Sequence, residues 1–474
     1  MRKPHVVLGL LTALSIRATA QSVTIQSTVN YRGWGWESVV MENGLVTAAT
    51  VPAIGARVMQ YDLGSHASLF VNPAETGKTY KPAQGASWHN FGGFKNWPAP
   101  QDEWGWPPPP TLDFGAYTAS IVSQTADSVA LLVTGPTEKW LAPGIHFERR
   151  AVLYPGSTRL KMEQTLVNDG SIPVEWSVWD ITQCIVNHPG ERDFENFWVY
   201  FPKNPNSVFG VRGVRWDKTS TAWRGEIAPG VYGVQFLPEN KKIFADSHKG
   251  WIAYADQRHG VVYAKTYSLF EGEYPDGGAH NEVWINCDPL YLEVEVVGPI
   301  VQIPSGTSNH TTFTIDWWAA TMRSPVLDVN GVGAIAQPLA LDRAASFVSG
   351  VFGCFHQGTA KVEFLDGGDQ VLSEGASHSV TPLAEFVLEE TLDVPAGAER
   401  FRVSVADGMG RTIGVLDGGS LSERTGISNR LTTARPSGFS LEQNYPNPFN
   451  GGTTLCITVL SPMRGNLSVF NVRG

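Results

Sequence analysis

The chain has 474 residues, a formal net charge of -10 and a sequence pI near 5.6. That acidic balance, without any run of Lys or Arg, excludes nucleic acid as a partner, because phosphate binding needs a basic stripe. The length exceeds one ordinary core and predicts about two to four domains, and the confinement of all 16 tryptophans between Trp34 and Trp318 places a boundary near residues 320 to 340.

Residues 1–20 begin with basic Arg2 and Lys3, run through apolar residues from Val6 to Ile16, and end in Ala18-Thr19-Ala20. This is the pattern of a secretory signal peptide cleaved after Ala20, so that the mature chain starts at Gln21. The apolar run is too short to span a bilayer as a helix, and no later segment is long enough. The expectation is export through the periplasm of a Gram-negative bacterium to the cell surface or medium.

From residue 21 to about 325, period-two alternation dominates. In Arg159 to Val167, Leu160, Met162 and Leu166 face one side while Arg159, Lys161, Glu163 and Thr165 face the other, which predicts a half-buried strand. The same reading applies to Gly44–Thr50, Ala56–Asp62, Ser128–Thr134, Ile145–Leu153, Val174–Thr182, Trp251–Ala255, Val261–Thr266, Tyr291–Val297 and Thr312–Trp317. Turn signals such as Asn168-Asp169-Gly170, Tyr154-Pro155-Gly156 and Asp276-Gly277-Gly278 separate them. Many strands with Gly and Pro turns and no convincing amphipathic helix predict an all-β sandwich.

Ser87 to Pro110 interrupts this pattern with four tryptophans and six prolines. Prolines deny regular hydrogen bonding, so Trp88, Trp97, Trp104 and Trp106 are expected on an irregular loop. Indoles beside amide, cation and carboxylate groups suit ligands with apolar CH faces and hydroxyl rims, such as sugars. The alternative is a lid whose rings close one end of a core. Trp104 and Trp106, next to Pro107–Pro110, read as packing that holds the loop. Within it, His89 is a candidate acid or base, because an imidazole can give or take a proton, and Asn90, Lys95 and Trp97 are candidate ligand contacts. Arg57 and Lys95 suit the carboxylate or hydroxyls of an acidic sugar, or pair with a nearby Asp or Glu.

The densest carboxylates lie downstream. Glu293 and Glu295 alternate with Leu292, Val294 and Val296, which puts both glutamates on one strand face, and Glu282 lies one turn upstream. Two carboxylates on one face can push their pKa values apart and divide acid from base roles; the alternative is a solvated strand face. The four cysteines, Cys184, Cys287, Cys354 and Cys456, have no metal-ligand spacing. Cys184 and Cys287 are the pair that can close a disulfide within the Trp-rich domain, unless both are free thiols. His66, His146, His248, His259, His280 and His310 show no metal spacing, and phosphate-loop, nucleotide and nucleophile-elbow motifs are absent, so neither metal nor cofactor is expected.

Residues 340–425 repeat the alternation in shorter strands, including Ala360–Phe364 and Phe401–Val405, and read as a small accessory β-sandwich. Residues 426–438 are polar and read as a linker.

The end of the chain, Ser440-Leu441-Glu442-Gln443-Asn444-Tyr445-Pro446-Asn447-Pro448-Phe449-Asn450, resembles the opening of the Ig-like C-terminal sorting domain of the type IX secretion system. The resemblance continues through Thr453–Val459 and Leu467–Gly474 and stops before the further strands of such domains, so residues 439–474 are expected to be a partial sorting domain with that machinery as partner.

The region from about Val39 to Trp318 resembles the galactose-mutarotase-like superfamily. The resemblance rests on Gly55-Ala56-Arg57-Val58, on Phe91 to Gln101, on Trp179-Asp180-Ile181-Thr182-Gln183, and on Tyr274 to Gly278 with Glu282 and Tyr291 to Glu295. It implies a large β-sandwich and a sugar partner, with a glutamate taking the anomeric proton and a histidine protonating the ring oxygen. Glu293 or Glu295, and less so Glu282, fit the base; Arg57, Asn90, Lys95, Trp97 and Gln183 would contact the ligand. The epimerase Asn-His pair followed by an aromatic and Asn is not matched; His89 with Asn90, and Asn187-His188-Pro189, come nearest. The resemblance also admits a polysaccharide hydrolase or lyase, and a surface protein that binds carbohydrate without catalysis.

Overall fold

The computed structural model describes residues 22–188, 194–216, 223–306, 309–323, 325–422, 439–441 and 457–459. The signal segment, its cleavage site, the linker and nearly all of the sorting segment therefore lie outside the described residues. Residues 1–426 form one compact unit and 427–474 another. In the second, the described residues are two short antiparallel strands, Phe439–Leu441 and Ile457–Val459.

The first unit is all β. Its larger part is two antiparallel sheets, and alternation in the sequence becomes the face-to-face core between them. The first sheet runs, from its middle outward, Arg57–Leu63, Phe94–Ala99, Val174–Cys184, Leu290–Val297, Asn281–Cys287 and Lys241–Ala245. The second has Trp251–Asp256, Val261–Tyr267, His310–Thr321, Leu160–Asn168 and Ile145–Leu153 at its centre. Tyr61 and Phe94 of the first meet Trp317 of the second edge to face, with ring centroids 5.7 and 5.0 Å apart. Leu160, Met162 and Leu166 are buried as the alternation requires, and the other expected strands recur within a few residues of their limits.

Charges also cross this interior. Asp180 is fully buried between the sheets, paired with Lys265 and accepting a 2.7 Å hydrogen bond from Gln164 Nε2. Lys265 also donates to the Val294 carbonyl at 2.7 Å, so its buried ammonium has two oxygens to satisfy it.

The Trp-rich segment is only partly the expected loop. Phe94–Ala99 is a strand, paired with Val174–Cys184 from Thr182 opposite Phe94 to Ser177 opposite Ala99. Its other edge meets Arg57–Leu63 at a single pair, Val58 with Phe94. Pro98 therefore sits where one side of the strand is already open, the place a strand tolerates a missing N–H. The preceding Gly92 and Gly93 have φ of 94° and 66°. A Cβ on Gly92 would stand 2.2 Å from the Phe70 carbonyl oxygen, and one on Gly93 2.5 Å from that of Val58, so the chain can enter the sheet only as glycine.

A second pair of sheets spans Asp328–Ser420, with Gly333–Asp342, Phe347–Cys354 and Phe386–Thr391 in one and Gly358–Leu365, Arg400–Ala406 and Thr412–Ser420 in the other. It has its own core around Phe352, Val362, Phe364 and Val403. A shared apolar cluster joins it to the larger sandwich: Trp251 and Trp318 pack with Val329, Ala334 and Phe355, and Trp318 stacks on Phe355 at 5.1 Å.

Of the two alternatives the sequence leaves open for Cys184 and Cys287, a disulfide or free thiols, the structure has free thiols. Cys184, Cys287 and Cys354 are free. Cys184 is paired in register with Leu292, and Cys287 lies on the next strand over, opposite Leu290, so a strand separates the two sulfurs.

Candidate functional site

Five neighbouring strands of the first sheet turn one face away from the core, and their register assembles the site. Lys95 lies opposite Ile181, Ile181 opposite Glu295, Glu295 opposite Glu282, and Glu282 opposite Phe244. The adjoining rows bring Gln183 to Glu293, Glu293 to Trp284 and Trp284 to Lys242, and set Trp97 beside Trp179. Alternation is the cause: odd residues of Leu290–Val297 and even residues of Asn281–Cys287 share this face.

Above it lies a cleft of about 490 Å³, large enough for a small ligand. Its walls are Trp88, Trp97, Trp106, Trp179 and Trp284, with Phe244 and Tyr291; Gln101, Asp102, Asp276 and Asn286 add polar groups. The rings brace one another. Trp97 meets Trp179 at 5.6 Å and Trp106 at 6.2 Å, and Trp106 meets Trp88 at 5.1 Å, all edge to face.

The floor is an ion-paired cluster. Lys95 Nζ donates to Glu293 Oε1 at 2.8 Å, Gln183 Nε2 donates to the same oxygen at 3.0 Å, and the ammonium lies 4.6 Å from the centre of the Trp97 ring. Lys242 Nζ bridges two carboxylates, donating to Glu295 Oε1 and Oε2 at 2.7 and 2.6 Å and standing 2.7 Å from Glu282 Oε2. Trp179 Nε1 donates to Glu295 Oε2 at 2.7 Å. The Glu282 contact is an ion pair without hydrogen-bond alignment, and among the described residues no aligned hydrogen bond reaches either oxygen of that side chain.

These surroundings drive the carboxyls apart. Burial pushes Glu282 well above the usual carboxylate range, against the pull of Lys242 and with the repulsion of Glu295. Burial likewise raises Glu295, where Lys242 opposes it and Glu293 adds to it. At Glu293 burial is outweighed: Lys95, with Lys242 and the Gln183 amide, holds its carboxyl below the usual range. Lys242, which burial would lower, is raised by its two glutamates. Two carboxyls sharing one ammonium hold a proton between them, and that proton belongs to the cluster. Glu293 is then the ionised acceptor of the cleft, and Glu282 and Glu295 share one proton beside it.

The residues expected from sequence divide into three groups. Glu293, Glu282 and Trp97 line the cleft, while Lys95, Gln183 and Glu295 form the layer that holds Glu293 and Lys242. Arg57 stands apart. Its guanidinium is fully buried, donating to Asp113 Oδ1 at 2.6 Å and to the Gly92 carbonyl at 3.1 Å, and Asp113 Oδ1 also accepts from Trp97 Nε1 at 2.8 Å. Arg57 thus positions the indole instead of meeting a ligand. His89 is outside the cleft lining, stacked on Tyr80 at 3.4 Å and edge-on to Phe114 at 5.6 Å. Asn90 is buried beside it, its backbone carbonyl taken by Asn72. Trp104 packs as expected, its Nε1 donating to the Pro98 carbonyl at 2.8 Å. Trp106 does not: it is 59% exposed and forms the outer lip. The glutamates are not a solvated face, because each is covered by an ammonium and indoles.

Sequence reading missed Lys242 and Trp284 as site residues. Both are outward positions of alternating strands, Lys242 with Phe244 and Trp284 with Glu282, and a lysine and an indole on one outer face were the available signal.

No family model and no curated protein matches this chain. Among solved structures, a TPR-domain containing protein from Parabacteroides distasonis aligns over 66% of this chain and 56% of its own, at TM-score 0.43 and 12% identity. A galactose mutarotase-like protein from Clostridium acetobutylicum aligns over 64% of this chain and 99% of its own, at TM-score 0.42 and 12% identity. Another from Lactobacillus casei aligns over 60% and 99%, at TM-score 0.41 and 12% identity. Likenesses this distant leave the functional reading to the cleft itself.

Proposed function

We propose that the cleft binds a sugar ring and that Glu293 is the group that exchanges a proton with a ligand hydroxyl. The observation that carries this is the combination of five indoles around one ionised, partly accessible carboxylate. Indole faces receive the CH faces of a pyranose, while Glu293, Lys242, Asp102 and Asn286 are placed to meet hydroxyls. The ligand is neutral: the cations near the floor are already engaged, Lys95 by Glu293 and Lys242 by Glu282 and Glu295, while Asp102 and Asp276 add negative charge to the rim. A uronic acid would therefore meet repulsion. The reading includes export of the chain through its N-terminal segment and the type IX machinery.

A second reading, binding without catalysis, is favoured by the Lys95 ammonium, which weakens Glu293 as a base. Two measurements separate the readings. Tryptophan fluorescence titrated with neutral hexoses, uronic acids and their oligomers should show saturable binding, with neutral sugars at least about tenfold tighter; silence across the panel would sink both. Magnetisation exchange between anomers of the bound sugar, present in the native protein and lost in Glu293→Gln, supports proton transfer, and its absence from the native protein leaves binding alone.

A further inference from the structure

Away from the cleft, where the two sheets of the larger sandwich approach at one end, three side chains converge that no part of the sugar reading uses. His188 follows the Val174–Cys184 strand of the first sheet, Asp256 ends the Trp251–Asp256 strand of the second, and His259 lies in the turn just after it. One ligand atom from each lies within 4.8 Å of the others. His188 Nε2 is 2.6 Å and His259 Nδ1 is 2.8 Å from the same oxygen, Asp256 Oδ2, and the imidazole centroids are 4.2 Å apart. The other carboxylate oxygen, Oδ1, accepts from the backbone N–H groups of Arg258 and His259 at 3.1 and 3.2 Å. That turn fixes the carboxylate so that Oδ2 lies between the rings. Asp256 is nearly buried and both histidines remain partly accessible, so the cluster has an entry path.

We propose that His188, Asp256 and His259 form a binding site for a transition-metal dication of the zinc class, tying the segment after the cleft strand to the opposite sheet. Two imidazoles and one carboxylate are the donor set that suits zinc in preference to magnesium or calcium. Bonds of about 2.0–2.2 Å require donor atoms roughly 3.3 Å apart in a tetrahedral site, so His188 and His259 move away from Oδ2 by about 0.7 and about 0.5 Å to admit the ion. Water or His66, whose ring centroid is 5.9 Å from that of His259, completes the fourth position. The competing arrangement is two imidazoles hydrogen-bonded to one carboxylate oxygen, which needs no metal.

The full chain, stripped with chelator, is titrated with Co²⁺ and then Zn²⁺. The site predicts one Co²⁺ per chain with visible ligand-field bands, displacement by Zn²⁺, and a rise in melting temperature on metal addition. His188→Gln and His259→Gln, both at partly exposed positions, should keep the metal-free melting temperature and lose affinity by at least about 100-fold, beyond the roughly 10–100-fold of an outer-shell change. Asp256→Asn should do the same to affinity. Absence of stoichiometric binding by the native chain, or native affinity retained in the two histidine variants, overturns the proposal.

Discussion

Replacing Lys242 with Met tests the electrostatic account of the cleft floor. The substitution keeps an unbranched apolar stem and removes the ammonium shared by Glu282 and Glu295, both of which are fully buried. Without it, a second proton must enter the cluster. Holding a glutamate of ordinary pKa near 4.3 protonated costs about 3.5 kcal/mol at pH 7 and about 1 kcal/mol at pH 5, in line with the roughly 3–5 kcal/mol lost when one partner of a buried pair is removed. The sign follows from the direction of the shift. A carboxyl whose folded pKa is raised stabilises the fold below its unfolded pKa and loses that contribution as pH rises through the folded value, so the variant should fall further behind the native protein with each pH unit. Guanidinium unfolding of both proteins at pH 5, 6 and 7 measures this. Parallel stability curves, or a loss under about 1 kcal/mol at pH 7, would mean that Glu282 and Glu295 do not depend on the Lys242 ammonium.

Three further outcomes follow from the geometry. Glu282→Gln leaves Lys242 and Glu295 as a one-to-one pair and should flatten the alkaline decline, giving a melting temperature at pH 8 equal to or above that of the native protein; a large drop would contradict the raised pKa of Glu282. Gly92→Ala puts a Cβ 2.2 Å from the Phe70 carbonyl oxygen at a φ of 94°, and should cost at least about 3 kcal/mol or abolish soluble expression. Alkylation of the native chain followed by peptide mass analysis should modify exposed Cys287 rapidly while sparing buried Cys184 and Cys354, the latter's thiol pushed up to about 12 by burial; a Cys184–Cys287 cross-link would contradict the fold.

The strands were legible because alternation reports burial directly, as Leu160, Met162 and Leu166 show, and for the same reason Glu293 and Glu295 could be assigned to one face. The Trp97 strand was not legible, since Pro98 signals a break unless one knows that the strand's second edge is open beyond Phe94. Arg57 was misassigned because a buried Arg paired with Asp113 and a ligand-binding Arg look alike until the partner's place is known. His188 and Asp256 are separated in sequence by strands of both sheets, so only folding brings these donors within reach of one ion. Lys242 illustrates the general limit: alternation shows which face a side chain takes, but not which strand will lie beside it.

On the proposed reading, a neutral sugar sits in the indole-walled cleft above Glu293. Calorimetric titration with the tightest-binding neutral sugar, comparing the native chain with Trp97→Ala and Trp179→Ala, tests it most directly. Loss of one wall should remove about 1–3 kcal/mol of stacking and desolvation, a drop of roughly 5- to 150-fold in affinity, with the fold retained. Unchanged affinity in both variants would place the sugar elsewhere and contradict the account.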